Sequence, residues 1–157
     1  MSCNSKYGRV CLSNENAFDI INYIKMEIKD ELRKKIWEKG IKDEHYNPDK
    51  VRKDACGAWM IYDQVNRDDY PFFAWEVDHI IPVSVLKAHN VPDDLINDIR
   101  NLRPLNWNNN VSKGDDYPSY KAVIVSKADK NIRTEEYKEI NTSTQNELKK
   151  IYKKFGL

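Results

Sequence analysis

The stretch from Trp75 to Asp116 limits most strongly what this chain can fold into. An apolar, strand-like run over Phe72–Ile81 contains an Asp-His pair, and a second strand is predicted around Ile99–Leu105. A short helix is predicted over Asn106–Ser112, because Gly114 follows as a helix terminator. The carboxylate, imidazole and amide side chains of this stretch can bind a hard metal ion, activate a water molecule and hold a phosphate.

The N-terminal half of the chain is predicted from the spacing of its apolar residues. Spacings of three and four positions predict an amphipathic helix over residues 16–39, which Gly40 ends. Residues 41–54 are polar and predict a connecting loop. The runs Ala58–Tyr62 and Phe72–Ile81 are both rich in aromatic and β-branched residues, so we expect them to pair as a hairpin or a two-strand layer.

The C-terminal part predicts a strand pair and a final helix. Tyr120–Ser126 is a strand with Ile132–Ile140 as its weaker partner, and a helix then runs to about Phe155, capped by Thr142 and Ser143. Upstream, a single helical turn is expected at Asp93–Leu95, after Pro92. These elements, with no internal repeat or linker, predict one α+β domain over residues 1–157.

Composition narrows the class of protein. The chain has 157 residues, a net charge of +1 and 40% hydrophobic residues, with no apolar run long enough to cross a bilayer. Cys3, Cys11 and Cys56 fit neither a disulfide framework nor a paired zinc knuckle, so we expect reduced thiols in a cytoplasmic protein. Residues 41–110 carry 8 basic and 12 acidic side chains, and this acidic middle is where we expect a cation.

The adjacent Asp78 and His79, at the end of a predicted strand, can play two different chemical roles. Neighbours on a strand project to opposite faces, so Glu76 and Asp78 share one face and His79 lies on the other. An ionised Asp78 can hold a metal while a neutral His79 takes a proton from water. The alternative is that Asp78 only orients a structural histidine.

Two asparagines and a lysine follow Asp78 and His79 in the sequence, at positions 101, 110 and 113. Asn110 supplies an amide oxygen, which with Asp78 would form a sparse oxygen site of the kind that Mg²⁺ prefers. Lys113 is expected to offset the charge of a phosphate bound there, and Asn101 lies near the start of the predicted second strand. The alternative for residues 106–110 is a polar cap or turn.

The residues WEVDHIIPVS, followed by NLRPLNWNNNVSKGD, resemble the HNH endonuclease family. That family has a ββα-metal module, in which a strand ends in Asp-His, a second strand carries Asn, and a helix binds the metal. The resemblance covers about residues 52–116. It implies an HNH core preceded by the N-terminal helix at about residues 16–39 and followed by a C-terminal extension over residues 117–157.

The resemblance implies a role for each matching residue. His79 would be the general base, Asp78 and Asn110 the metal ligands, and Asn101 the residue that braces the loop and hence the histidine. The last position, Asn110, is often His in the family and is Asn in the HNH domains of RNA-guided nucleases. An amide oxygen is harder than an imidazole nitrogen, so Mg²⁺, or alternatively Mn²⁺, is the expected cation.

Many relatives also carry two Cys-x-x-Cys pairs that hold a structural zinc. The matching positions here are Cys56 with Trp59 and Asn106 with Asn109, so no structural zinc is expected. Packing of Trp59, Trp75 and Trp107 is expected to take its place. His45 and His89 are predicted to be surface histidines without a ligand role.

The function implied is metal-dependent hydrolysis of DNA phosphodiester bonds, with Arg103 and Lys113 contacting phosphates. Two alternatives stay open, a catalytically inactive DNA-binding or interaction module on the same scaffold, and an RNase. No membrane partner is expected. The oligomeric state is open, although a double-strand break normally needs two such sites.

Overall fold

A computed structural model describes Met26, residues 29–65 and residues 72–157. Residues 29–37 are helical (α1), and the rest of the helix predicted over 16–39 lies outside the described residues, except for Met26, which is also helical. By its internal contacts the chain divides after Lys34, and the account below concerns the unit from Lys35 to Leu157.

This unit is α+β, as predicted, and the six strands among its described residues form three separate antiparallel pairs. The strands are β1 (Val51–Lys53), β2 (Trp59–Ile61), β3 (Trp75–His79), β4 (Leu102–Asn106), β5 (Ser119–Lys127) and β6 (Lys130–Glu139). The helices that follow α1 are α2 (Val83–Ala88), α3 (Asp93–Ile96), α4 (Trp107–Lys113) and α5 (Thr142–Tyr152). Within the described residues, no helix has the length and apolar character needed to cross a bilayer.

Strand pairing differs from the sequence prediction in the first half of the unit. Residues 58–62 and 72–81 were expected to pair with each other, but β2 pairs with β1 and β3 pairs with β4. The segment 41–54 was expected to be a loop, yet it contains β1. The cause is Arg52, which is buried in β1 and donates hydrogen bonds to the carbonyl groups of Glu38, Gly40 and Pro48, so this strand lacks the alternation of apolar residues.

The second half agrees more closely with prediction. The pair β5–β6 and the terminal helix α5 are present, but Asn141, and not Thr142 or Ser143, caps α5 by accepting from the N–H of Thr144. The expected turn after Pro92 is α3, while α2 was missed because its valines have low helix propensity.

Two clusters of buried side chains hold the pairs together. The smaller joins the end of α1 to β2, β3 and β4 through residues that are nearly inaccessible to solvent: Ile36, Trp37, Met60, Trp75 and Leu102. The larger joins α2, α3, β4, β5 and α5.

Helix α4 packs against β3, β4 and β5. Its Asn109 side chain accepts from the N–H groups of Val123 and Ile124 and donates to the carbonyl of Ile124, where the β5 register shifts. This contact fixes α4 on the edge of β5 away from β6.

Candidate functional site

The site lies where β3, β4 and α4 meet. The β3–β4 register sets Asp78 opposite Arg103 and His79 opposite Leu102. Glu76 and Asp78 both contact α4, through Asn110 and Lys113, which are one helical turn apart. Glu76 and Asp78 therefore share a face of β3.

Asp78 is buried between two cations. Its Oδ2 atom lies 2.7 Å from Arg103 Nε, and its Oδ1 atom lies 3.0 Å from Lys113 Nζ. The side chains of Asp78, Arg103 and Lys113 are only 3%, 11% and 1% exposed. Lys113 Nζ also donates to the carbonyl of His79 at 3.0 Å, which ties α4 to the end of β3. Each carboxylate oxygen of Asp78 thus already has a cationic partner.

This ion cluster affects the guanidinium of Arg103. Burial lowers the pKa of the Arg103 guanidinium, but the neighbouring Asp78 carboxylate raises it by more. The pKa of Arg103 therefore lies above its usual value. Among the described residues, Arg103 Nη2 is buried and has no hydrogen-bond partner, so the N–H groups of this nitrogen are not used. Arg103 also lines a cavity of about 500 Å³ together with Lys39, Arg100 and Tyr120.

The ion cluster of Asp78, Arg103 and Lys113 also affects whether the predicted metal ligands can bind a cation. Asn110 donates from Nδ2 to Glu76 Oε2 at 2.7 Å, so its amide oxygen is the atom left for a ligand. Glu76, Asp78 and Asn110 offer the hard oxygen atoms that Mg²⁺ prefers. As the side chains stand they do not fit a divalent cation, because Lys113 and Arg103 occupy both oxygens of Asp78. The two positive charges beside Asp78 therefore oppose the binding of a further cation.

His79 is half-buried and is held by a residue that the sequence analysis missed. Its Nε2 atom lies 2.9 Å from the amide oxygen of Asn97, and Asn97 Nδ2 donates to the carbonyl of Asp93. Because the amide oxygen can only accept, the assigned hydrogen bonds put a proton on Nε2. His79 Nδ1 is then the atom with a lone pair for a proton from water. No sequence signal pairs Asn97 with a histidine 18 positions earlier.

Asn101 is fully buried just before β4 and holds the chain that follows His79. Its amide oxygen accepts from the N–H of Ile81 at 2.8 Å, and its Nδ2 atom donates to the carbonyls of Ile81 and Ile96. The carbonyls on either side of Asn101, those of Ile99 and Leu102, accept from Lys39 Nζ. Asn101 therefore joins the segment after β3 to the end of α3, close to Asn97.

Three of the four positions that match the zinc cysteines of HNH endonucleases, namely Cys56, Asn106 and Asn109, are linked by a second missed residue, Asp54. Its buried carboxylate accepts from the N–H groups of Cys56, Ala58 and Asn106 and from Asn109 Nδ2, at 2.8–3.0 Å. Burial raises the pKa of the Asp54 carboxyl, and these hydrogen bonds act in the opposite direction. Hydrogen bonds to a carboxylate connect these positions, where tryptophan packing was expected, although Trp59 and Trp75 are also buried.

The remaining histidines lie apart from the site. His45 is exposed and contacts Asp43, while His89 Nδ1 lies 3.0 Å from the carbonyl oxygen of Phe155. Within the described ranges, no three His, Cys, Asp or Glu side chains form a group that could hold a metal ion.

Comparisons with protein-family models, with curated proteins and with solved structures find no match for this chain.

Proposed function

We propose that this protein is a metal-dependent endonuclease of the HNH type that hydrolyses phosphodiester bonds in DNA. The observation that carries the proposal is the arrangement of His79 on the pair β3–β4 beside helix α4. Its Nε2 atom is bound by Asn97, and Asn101 holds the following backbone, so Nδ1 has a fixed direction. A half-buried imidazole whose second nitrogen is not used by Asn97 is suited to accept a proton from an attacking water.

In this proposal Arg103 and Lys113 exchange partners when the substrate binds. Both side chains now pair with Asp78, and the N–H groups on Nη2 of Arg103 are not used. A phosphate group is a strong acceptor for both side chains. Once they turn toward it, Asp78 is released.

The proposal retains one divalent cation, Mg²⁺ or Mn²⁺, on Asp78 and Asn110. Such a cation would supply Lewis-acid stabilisation of the charge that develops on the phosphate. Because two cations occupy Asp78 in the free protein, the metal is expected to bind weakly without nucleic acid and more tightly with it.

The test uses purified protein, supercoiled plasmid and Mg²⁺ or Mn²⁺. Nicked or linear product is expected, and EDTA or His79→Ala should abolish it. His45→Ala is the matched control, because His45 is an exposed histidine away from the site. Cleavage that survives His79→Ala would refute the assignment of the base. Matched DNA and RNA duplexes then decide between a DNase and an RNase.

A second candidate function is a nucleic-acid-binding module without catalytic activity. It is favoured by the same cluster, because an Asp78 that stays paired with Arg103 and Lys113 cannot hold a metal. Asp78→Ala does not separate the two functions, since it leaves two buried cations without their partner. Asn110→Ala is the better variant, because it removes an expected ligand from a half-buried position. If the unmodified protein binds duplex DNA but does not cleave it with either Mg²⁺ or Mn²⁺, the binding module without catalytic activity is favoured.

A further inference from the structure

A groove of about 300 Å³ lies between helix α5 and the segment that joins α3 to β4. We call it the basic groove; its lining residues are Leu95, Arg100, Glu147, Lys150, Ile151 and Lys154. Neither the ion cluster at Asp78 nor the contacts of His79 involve any of these side chains. The basic groove is therefore a surface that the proposed chemistry leaves unexplained.

The charge around the basic groove is positive, in a chain whose net charge is only +1. Lys150 and Lys154 are exposed and lie four positions apart, and Lys149 and Lys153 repeat the same spacing beside them. The lining itself has three basic side chains, Arg100, Lys150 and Lys154, against the acidic side chain of Glu147. Asp98 pairs with Arg100 at 2.6 Å and so reduces the contribution of that arginine.

The basic groove begins close to the residues that hold His79. Tyr152 donates from its hydroxyl to the carbonyl of Leu95 at 2.8 Å, which fixes α5 against α3. In the sequence, Asn97, the partner of His79, lies between Leu95 and Arg100, two residues that line the groove. A polymer that extends from His79 toward α5 would therefore pass near the groove.

We propose that the basic groove binds the phosphate backbone of duplex DNA on one side of His79. Its position relative to the reaction depends on the function proposed above, but binding itself needs no cleavage. Lysine side chains along one helix bind phosphates through charge and carry no base specificity.

The test measures the affinity of the full chain for a fluorescein-labelled duplex of 30 base pairs. Fluorescence anisotropy is recorded in EDTA, where no cleavage is expected, at several salt concentrations. The variant is Lys150→Ala with Lys154→Ala, and the matched control is Lys127→Ala with Lys130→Ala, two exposed lysines at the turn between β5 and β6. Each phosphate contact contributes about 0.9 to the slope of log Kd against log salt. The groove variant should therefore lose about two from that slope, while the control keeps it.

An equal effect of both variants, or an unchanged slope, would overturn the proposal. So would an absence of duplex binding by the original protein at low salt, or binding only to vesicles that contain anionic lipid. Thermal unfolding of both variants checks that each one folds. If the original protein binds through Lys150 and Lys154 but never cleaves, the nuclease proposal fails and the groove proposal stands. If it cleaves and the two variants bind alike, the reverse holds.

Discussion

Replacing Asp78 by asparagine should destabilise the protein strongly, whatever its activity. The carboxylate lies 2.7 Å from Arg103 Nε and 3.0 Å from Lys113 Nζ, in a site nearly closed to solvent. At about 3 Å and an effective dielectric constant of about 20, each pair attracts by roughly 5 kcal/mol. Removing the carboxylate also removes its own desolvation penalty, so the net loss is smaller. Measured losses on breaking a buried pair are about 3–5 kcal/mol, and we expect this range for Asp78→Asn.

Urea unfolding followed by tryptophan fluorescence measures the change, because Trp37, Trp59 and Trp75 are all buried. Glu135→Gln is the matched control: its side chain is 81% exposed and pairs with Lys121 at the surface, so it should change the free energy of unfolding by less than about 0.5 kcal/mol.

Lys113→Met, added to Asp78→Asn, should cost less than the two single changes added together, because each one removes the same ion pair. A loss below about 1 kcal/mol for Asp78→Asn would refute this account of the cluster. So would additive effects in the double variant.

Three further predictions concern other parts of the site. Asp54→Asn should lower the free energy of unfolding, measured by urea unfolding, by roughly 2–6 kcal/mol, because the new NH2 group would face two donors that now bond to the carboxylate. A loss below about 1 kcal/mol would contradict the contacts of Asp54 with Asn109 and the backbone. Burial raises the pKa of Cys56 to about 12, so iodoacetamide at pH 8 should modify this thiol only after the protein unfolds. Peptide mass mapping measures the modification, and rapid labelling of Cys56 in the folded protein would contradict this prediction. Asn97→Ala should reduce plasmid cleavage about tenfold or more without a large change in duplex affinity, since it frees the His79 ring to rotate; an equal loss of duplex binding would assign Asn97 to substrate binding instead.

Local signals were sufficient for the C-terminal half of the unit. In β5, buried Tyr120, Ala122 and Ile124 alternate with less buried residues, and in α5 the residues Leu148 and Tyr152 recur at helical spacing. Both patterns are contained in a short stretch of chain, so a sequence can express them directly. Gly114, which the sequence marked as a terminator, likewise follows the last residue of α4.

Pairing between distant segments could not be predicted in this way. The partner of β2 is β1, which has a buried arginine in the place of an apolar residue, and a strand pattern does not say which neighbour it will choose. The candidate site depends on the same kind of information. Asp78 and His79 were identified from the sequence, but the β3–β4 register puts Arg103 opposite Asp78. The hydrogen bonds of Asn97 and Asp54 likewise join residues far apart in the chain, and no local pattern encodes them.

The contact of Asn109 with β5 also affects whether the open edge of the β5–β6 pair can bind a strand of another chain. A sheet of two strands has two open edges, and each is a template on which another chain can add a strand. On the β5 edge, one asparagine side chain uses the backbone groups of Val123 and Ile124 that an incoming strand would need. The β6 edge is protected differently, by charged side chains along Lys130–Glu139. The helix that carries Asn110 thus also guards a sheet against aggregation, and a change at Asn109 would be expected to lower solubility as well as stability.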